Sequence, residues 1–350
     1  MNTIKIGEHV VCHNSQPFIV AEMSGNHNQS LERALKIVDA AAKAGCHALK
    51  IQTYTADTMT IDSENSEFLI NDSDSLWNKY SLYDLYKKAY TPWDWHELIF
   101  KRCKELGVVG FSTPFDETAV DFLETFDIPI YKVASFEITD LPLIEKIAST
   151  GKPLIISTGM ATISEIDDAV QTAKNNGCKE LILLKCTSSY PADHSEANLL
   201  TIPHLQQLFD IKIGLSDHTA GIGTALASIP LGACVIEKHF TLDRSDGGVD
   251  SEFSMEPAEM KMLVEESKRA YLSLGKIQYG KTIKESKSLR FRRSLFAVKN
   301  IQKDEIITKD NVRRIRPGNG LPPKHYEAIL DKKASVNIKR GTPLQWNMIY

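Results

Sequence analysis

Eight short apolar runs, each closing on polar or charged residues, recur along the chain. They are FIVAEMSGNH from Phe18, ALKIQTY from Ala48, VVGFSTPF from Val108, IYKVASFE from Ile130, LIISTGM from Leu154, LILLKCTSSY from Leu181, IKIGLSDHT from Ile211 and CVIEKHF from Cys234. Most intervals between them have room for one amphipathic helix, so the pattern predicts strand and helix in alternation. Such alternation implies a parallel sheet. Eight strand-plus-helix units within about 250 residues fit an α/β fold of the closed (β/α)8 TIM-barrel type, whose active sites lie at the C-terminal ends of the strands. The polar run ends are therefore candidates for one shared site.

The intervals support this reading. SLERALKIVDAAAKAG opens on Ser30 as a helix cap, closes on Gly45, and sets Leu31, Ala34, Leu35, Val38 and Ala42 on one face. The interval between the second and third runs is too long for a simple connection. Its end, from Pro92 to Leu106, predicts the expected helix. The remainder, rich in Asn, Asp, Ser and aromatic residues, predicts a loop or small helices over the barrel mouth, a place to look for substrate selectivity. After the eighth run, a helix from Pro257 places Met260, Leu263, Val264, Tyr271 and Leu274 on one face and stops at Gly275. Residues 1–280 thus form the barrel domain and 281–290 a linker. From Phe291 the texture changes to short β-like runs broken by turn residues, predicting a small, mainly β domain over 291–350. A module of roughly 60 residues buries little core alone.

Composition narrows the function. Net charge is −4 over 350 residues with no dense basic stripe, which argues against nucleic acid or a polybasic membrane contact. The first residues lack a cationic leader with an apolar core, and no run has the length of a membrane span, so a cytoplasmic protein is expected. Six cysteines are scattered without C-x-x-C spacing and read as small buried thiols.

Chemistry concentrates at the run ends. GLSDHT and EKHF put His218 and His239 at the ends of consecutive strands, neighbours in a closed barrel. Either histidine alone reads as structural, but as a pair they can share one metal ion. With two protein nitrogens, such a site suits an octahedral divalent ion used as a Lewis acid better than closed tetrahedral zinc. A second set is cationic and hydroxylic: Lys50, Ser112, Thr113, Lys132, Ser135, Ser157, Thr158, Lys185 and Ser216. Interior lysines are costly without an anionic partner, so they point to phosphate or carboxylate. Glu22, Glu137, Asp217, Glu237 and Asp250 are candidates for sugar hydroxyls, proton transfer or the orientation of Lys and His. A Schiff-base aldolase is a rival on the same lysines, though it duplicates what a metal would do. A carbohydrate-binding protein without catalysis leaves the interior charges unexplained.

IVAEMSGNHNQSLERA, KIQTYT, FSTPF, YKVASFE, ISTGM, KCTSSYP, GLSDHT and EKHFTLD, in this order, resemble the sialic acid synthase family of phosphoenolpyruvate-condensing enzymes. RSLFAVKNI, RPGNG and KASVNIKRG resemble the antifreeze-like SAF domain at their C-termini, and LWNKYSLYDLYKKAYTPWDWH resembles the family's pseudaminic acid branch. The resemblance implies condensation of phosphoenolpyruvate with the open-chain aldehyde of an N-acetylated amino sugar, releasing phosphate and giving a nine-carbon 2-keto acid. It implies that His218 and His239 hold Mn²⁺ or Mg²⁺ to polarise the aldehyde. Lys50, Thr113, Lys132, Ser135, Ser157 and Ser216 match the phosphoenolpyruvate-binding positions, and Ser188 joins them where sialic acid synthases commonly have Asn. Glu137 is the best candidate for proton transfer, while Glu22, Gln52, Tyr190 and Asp250 match positions facing the sugar. Arg316 matches the residue by which the SAF domain reaches the partner subunit's substrate, which implies a domain-swapped homodimer.

Overall fold

The computed structural model describes residues 3–12, 15–72 and 75–350. A short antiparallel hairpin, β1 (Ile4–Ile6) with β2 (His9–Val11), precedes the first run. The runs themselves become β3 (Phe18–Glu22), β4 (Ala48–Thr53), β5 (Val109–Pro114), β6 (Tyr131–Val133), β7 (Leu154–Ser157), β8 (Leu181–Cys186), β9 (Lys212–Ser216) and β10 (Val235–His239). They pair in parallel in chain order, and β10 closes on β3. The TIM-type barrel is present.

Seven helices lie in the intervals that follow the strands: α1 (Leu31–Ala44), α4 (His96–Glu105), α5 (Glu117–Leu123), α6 (Leu141–Ser149), α7 (Ile163–Asn175), α8 (Thr201–Phe209) and α9 (Gly223–Ser228). The eighth, α10 (Pro257–Leu274), ends the barrel at Gly275. Ser30 accepts a hydrogen bond from the Arg33 amide and Gly45 takes the left-handed conformation at φ 86°, so α1 starts and stops where its caps stand. Its buried face is Ala34, Ile37, Val38, Ala41 and Ala44 rather than the face through Leu31, Leu35 and Ala42. Ala34, Ile37, Val38 and Ala41 fall at i, i+3, i+4 and i+7, one helical stripe that packs into the core and leaves Leu35 and Ala42 at its margin. The long interval after β4 holds two further helices, α2 (Ala56–Met59) and α3 (Leu82–Ala89).

Alternate residues on each strand divide the core. Outward positions such as Tyr131, Val133, Leu154, Ile156, Leu181 and Leu183 pack against the helices. Inward positions Phe18, Val20, Ala48, Phe111, Ile130, Ile155, Ile182, Leu184 and Val235 fill the lower barrel, and Ile4, Ile6 and Val11 of the hairpin join them. The N-terminal end is therefore plugged by apolar side chains. Apart from Lys212, in register with Ile182, the polar inward residues begin one layer above.

The chain divides into two compact units, Met1–Gly275 and Lys276–Tyr350. In the second unit, Lys284–Phe291 is a 3-10 helix, β11 (Ser294–Ala297) pairs antiparallel with β12 (Val312–Ile315), and α11 (Tyr326–Ile329) follows. Its own core gathers Leu295, Ile301, Ile307, Val312, Ile329 and Leu344. Among the described residues, no helix is long and apolar enough to cross a membrane.

Candidate active site

Strand parity selects which run-end residues face inward. Glu22, Lys50, Gln52, Lys132, Ser157, Cys186, Ser216, Glu237 and His239 share the inward phase and line one cavity of about 300 Å³ at the C-terminal ends of the strands. Registers place them side by side, with Glu22 opposite Lys50 and His239, and Ser216 opposite both Cys186 and Glu237. Ser135, Glu137, Tyr190, His218 and Asp250 reach the same cavity from the loops above. Thr113 and Ser188 stand just behind its lining, bonded to Lys50 and Ser135 respectively. Ser112, Thr158 and Lys185 do not join the cluster. Each has the opposite phase or a local partner: Ser112 donates to the Ile51 carbonyl, Thr158 to the Leu184 carbonyl, and Lys185 to the Cys186 carbonyl and the Thr187 hydroxyl.

The two interior lysines differ in kind. Lys50 Nζ lies 2.7 Å from Glu22 and 3.8 Å from Glu237, and donates to Thr113 Oγ1 at 3.0 Å. Burial opposes its charge, but the two carboxylates outweigh that effect and raise its pKa. Lys132 is 2 % exposed and, among the described residues, donates only to neutral oxygens, Ser157 Oγ at 2.7 Å and the Val133 carbonyl at 2.9 Å. Burial therefore lowers its pKa. An ammonium with neutral partners alone favours the arrival of an anion. The hydroxyls of Ser157, Ser135 and Ser216 line the same cavity. Gly159, at φ 46°, closes the turn beneath them: a Cβ there would strike Ser135 Cβ and lie 2.7 Å from Ser188 Oγ.

His218 and His239 have ring centroids 5.3 Å apart. His218 Nδ1 lies 2.8 Å from the Thr187 carbonyl, so it carries the proton and leaves Nε2 with its lone pair. Buried His239 Nδ1 has no hydrogen-bond partner. Burial, and then the charge of His218, hold the His239 pKa well below the usual range, keeping the imidazole in its ligating neutral form. Among the described residues, no three or more His, Cys, Asp and Glu form a metal-holding group. The donor set is thus the two imidazoles: burial lowers the His218 pKa, but Cys186 and the Thr187 carbonyl outweigh it and raise it, so the pair fits a divalent ion, completed by water and substrate oxygens, once His218 has given up its extra proton.

On the other side, Gln52 donates to Glu22 Oε1 at 3.0 Å and to Ser24 Oγ at 3.1 Å, and Ser24 donates to Asp250. Asp250 Oδ2 lies 3.9 Å from His239. Burial raises the pKa of Asp250 and also that of Glu22, where it outweighs Lys50. Glu137, on a 3-10 turn after β6, has a buried, unpartnered Oε2, and burial pushes its pKa up to about 7. Arg316 is exposed beside β12, in the second unit.

A family model described as the NeuB family matches residues 37–279. The chain belongs to the NeuB family. An SAF-domain model matches residues 292–349 of this NeuB-family chain. A pseudaminic acid synthase of Helicobacter pylori is 44 % identical over 94 % of the chain and 96 % of its own length. An N,N'-diacetyllegionaminic acid synthase of Campylobacter jejuni is 37 % identical over 92 % of the chain and 96 % of its own. The N-acetylneuraminic acid synthetase of Leptospira borgpetersenii, solved with citrate, superposes with a TM-score of 0.73 at 34 % identity, covering 83 % of this chain and 96 % of that one.

Some site residues of this NeuB-family chain escape sequence reasoning. Ser24 follows EM in the first run end, and its contacts with Gln52 and with Asp250, far along the chain, reveal its place. Cys186 reads as one more buried thiol, yet it lines the cavity with Sγ 4.0 Å from His218 Nδ1. Burial opposes its thiolate, but hydrogen bonds from His218 and Ser188 lower its pKa to about 7. Its inward phase, shared with Ser216, was the available signal.

Proposed function

We propose that the chain is a pseudaminic acid synthase: it condenses phosphoenolpyruvate with the open-chain form of 2,4-diacetamido-2,4,6-trideoxy-altrose and water, giving pseudaminic acid and phosphate. The observation that carries the reaction type is the buried Lys132 ammonium with neutral partners only, set in the same cavity as the His218 and His239 pair. The identity of 44 % to a pseudaminic acid synthase, against 37 % to the legionaminic acid synthase, favours this sugar.

Lys132, Ser135, Ser157, Ser188, Ser216 and Lys50 with Thr113 hold the phosphate and carboxylate of phosphoenolpyruvate. Their placement turns C3 toward the histidine pair. Glu22, Gln52, Tyr190 and Asp250 fix the sugar hydroxyls and amides, aligning the aldehyde carbon with C3. A divalent ion, when held by His218 and His239, supplies Lewis-acid polarisation of the aldehyde oxygen. C3 attacks the aldehyde carbon, positive charge develops at C2, and water adds there. Glu137 takes one proton of that water and delivers it to the new alkoxide, which becomes a hydroxyl, and the remaining C2–OH proton leaves with the phosphate as the C2–O bond breaks and the C2 carbonyl forms. With phosphoenolpyruvate as co-substrate, the setting is the cytoplasm.

The depressed pKa of Lys132 is the one observation favouring a Schiff-base aldolase, but its Nζ is already held by Ser157 and the Val133 carbonyl. The deciding experiment is a phosphate-release assay with phosphoenolpyruvate against the trideoxy sugar, its legionaminate-type epimer and N-acetylmannosamine. Turnover of the first above the others, abolished by chelation and restored by Mn²⁺, is expected. Activity after exhaustive chelation, or a borohydride-trapped lysine adduct, sinks the mechanism.

A further inference from the structure

The cavity is chemically two-sided. Opposite the polar floor, α3 presents Leu82, Leu85, Tyr86 and Ala89 at i, i+3, i+4 and i+7, and all four line the cavity. Met59 at the end of α2, Ile70 and Phe115 extend this apolar wall. Leu85 and Ala89 are buried, whereas Leu82, Tyr86, Met59, Ile70 and Phe115 are half-buried and keep apolar area open to the cavity.

The wall is fixed in place at several points. Ser81 caps α3 by accepting from the Asp84 amide at 3.0 Å. Ile70 is clamped by backbone bonds to Tyr80 (2.9 Å) and Lys79 (2.8 Å). The Trp77 indole donates to the Val249 carbonyl at 2.7 Å, tying the segment to the loop that carries Asp250. Gln29 donates to the Lys88 and Tyr90 carbonyls, fastening the end of α3.

Resting on the reaction proposed above, the sugar's direction follows. C1 must sit at the histidine pair beside phosphoenolpyruvate, so the rest of the carbon chain runs outward, toward the cover of the barrel mouth. We propose that the apolar wall of Leu82, Tyr86, Met59, Ile70 and Phe115 is the specificity determinant for the deoxygenated end of the sugar. Where it is formed by Leu82, Met59, Ile70 and Phe115 it accepts the C6 methyl and an acetamido methyl, and disfavours a C6 hydroxyl, which none of those four side chains can pair. Discrimination of this kind, an added hydroxyl against an apolar pocket, reaches about 10- to 100-fold.

The test is a matched pair: the 2,4-diacetamido-2,4,6-trideoxy sugar and the same sugar bearing a hydroxyl at C6, each assayed by phosphate release. Wild-type kcat/KM should favour the 6-deoxy sugar by about 10- to 100-fold. Leu82→Asn, which keeps side-chain size, should shrink that preference about tenfold while the phosphoenolpyruvate KM stays unchanged. Ile70→Thr, outside α3, should act in the same direction and guards against a local folding defect in the helix. Equal use of the two sugars by wild type, or an unchanged preference in both variants, overturns the wall assignment alone. No phosphate release with the 6-deoxy sugar overturns the proposed reaction, and the assignment with it.

Discussion

Glu137 shows how a single environment sets a chemical role. Its pKa rises from 4.5 to about 7 because burial penalises the carboxylate, with Lys132 opposing. A group that must first accept a proton from water works as the carboxylate, so kcat/KM should fall about tenfold per pH unit below about 7. Glu137→Gln should lose at least about 100-fold in kcat and flatten that limb. The stability sign is opposite. A folded pKa above the unfolded value means the folded state holds the proton more tightly, so this group's contribution is full below pH 4.5 and lost as pH rises through about 7. Denaturation at pH 8 should therefore find Glu137→Gln more stable than wild type, on the order of 2 kcal/mol, with the gap closing toward pH 4. An unchanged pH profile in the variant removes Glu137 from the proton path. At this scale the sequence was half legible. Run ends named the residues, but only phase along the strand separates Lys132 and Ser157, which face in, from Ser112 and Lys185, which do not.

Elements turn those residues into a site, and the outward phase contributes as well. Lys238, between inward Glu237 and His239, is 1 % exposed and pairs with Asp217 at 2.9 Å. It also donates to the Thr219 and Gly221 carbonyls, and Asp217 in turn accepts from the Thr219 amide and hydroxyl. The end of β10 thus fastens the loop after β9, on which His218 sits. Lys238→Met leaves Asp217 buried with one oxygen unpaired, and should cost about 3–5 kcal/mol by urea unfolding. The double variant Asp217→Asn, Lys238→Met should recover part of that loss, because no charge is then stranded. Additive losses would mean the pair is not coupled. The barrel elements were legible because apolar runs recur at helix-long intervals, and several of the helices open on a capping side chain such as Ser30, Asp116 or Thr162. The segment between Ala56 and Ala89 was not, because its shape depends on a bridge between Leu69 and Ser81 and on Trp77 reaching Val249, neither of which has a periodic signature.

At the scale of the molecule, the question is whether one chain completes its own site. The second unit has a two-stranded sheet and its own small apolar core, and it matches the SAF-domain model. The family resemblance implies a homodimer in which Arg316 of one copy reaches the sugar held in the other copy's barrel, which would make the site heterologous in composition although the dimer is two-fold symmetric. Arg316→Ala should then lower kcat/KM for the sugar at least about tenfold while leaving the phosphoenolpyruvate KM unchanged. That loss alone does not say whose barrel Arg316 serves. Mixing does. A subunit carrying Arg316→Ala keeps Glu137, and one carrying Glu137→Gln keeps Arg316, so each is nearly inactive as a homodimer. If Arg316 crosses to the partner, a mixed dimer has one barrel with both groups intact and one with neither. Random exchange makes half the dimers mixed, with one working site of two in each, so about a quarter of wild-type activity returns. If Arg316 serves its own barrel, every site in the mixture lacks one group and no activity returns. Sedimentation of the mixture, run alongside, separates a failure to exchange subunits from a failure to complement.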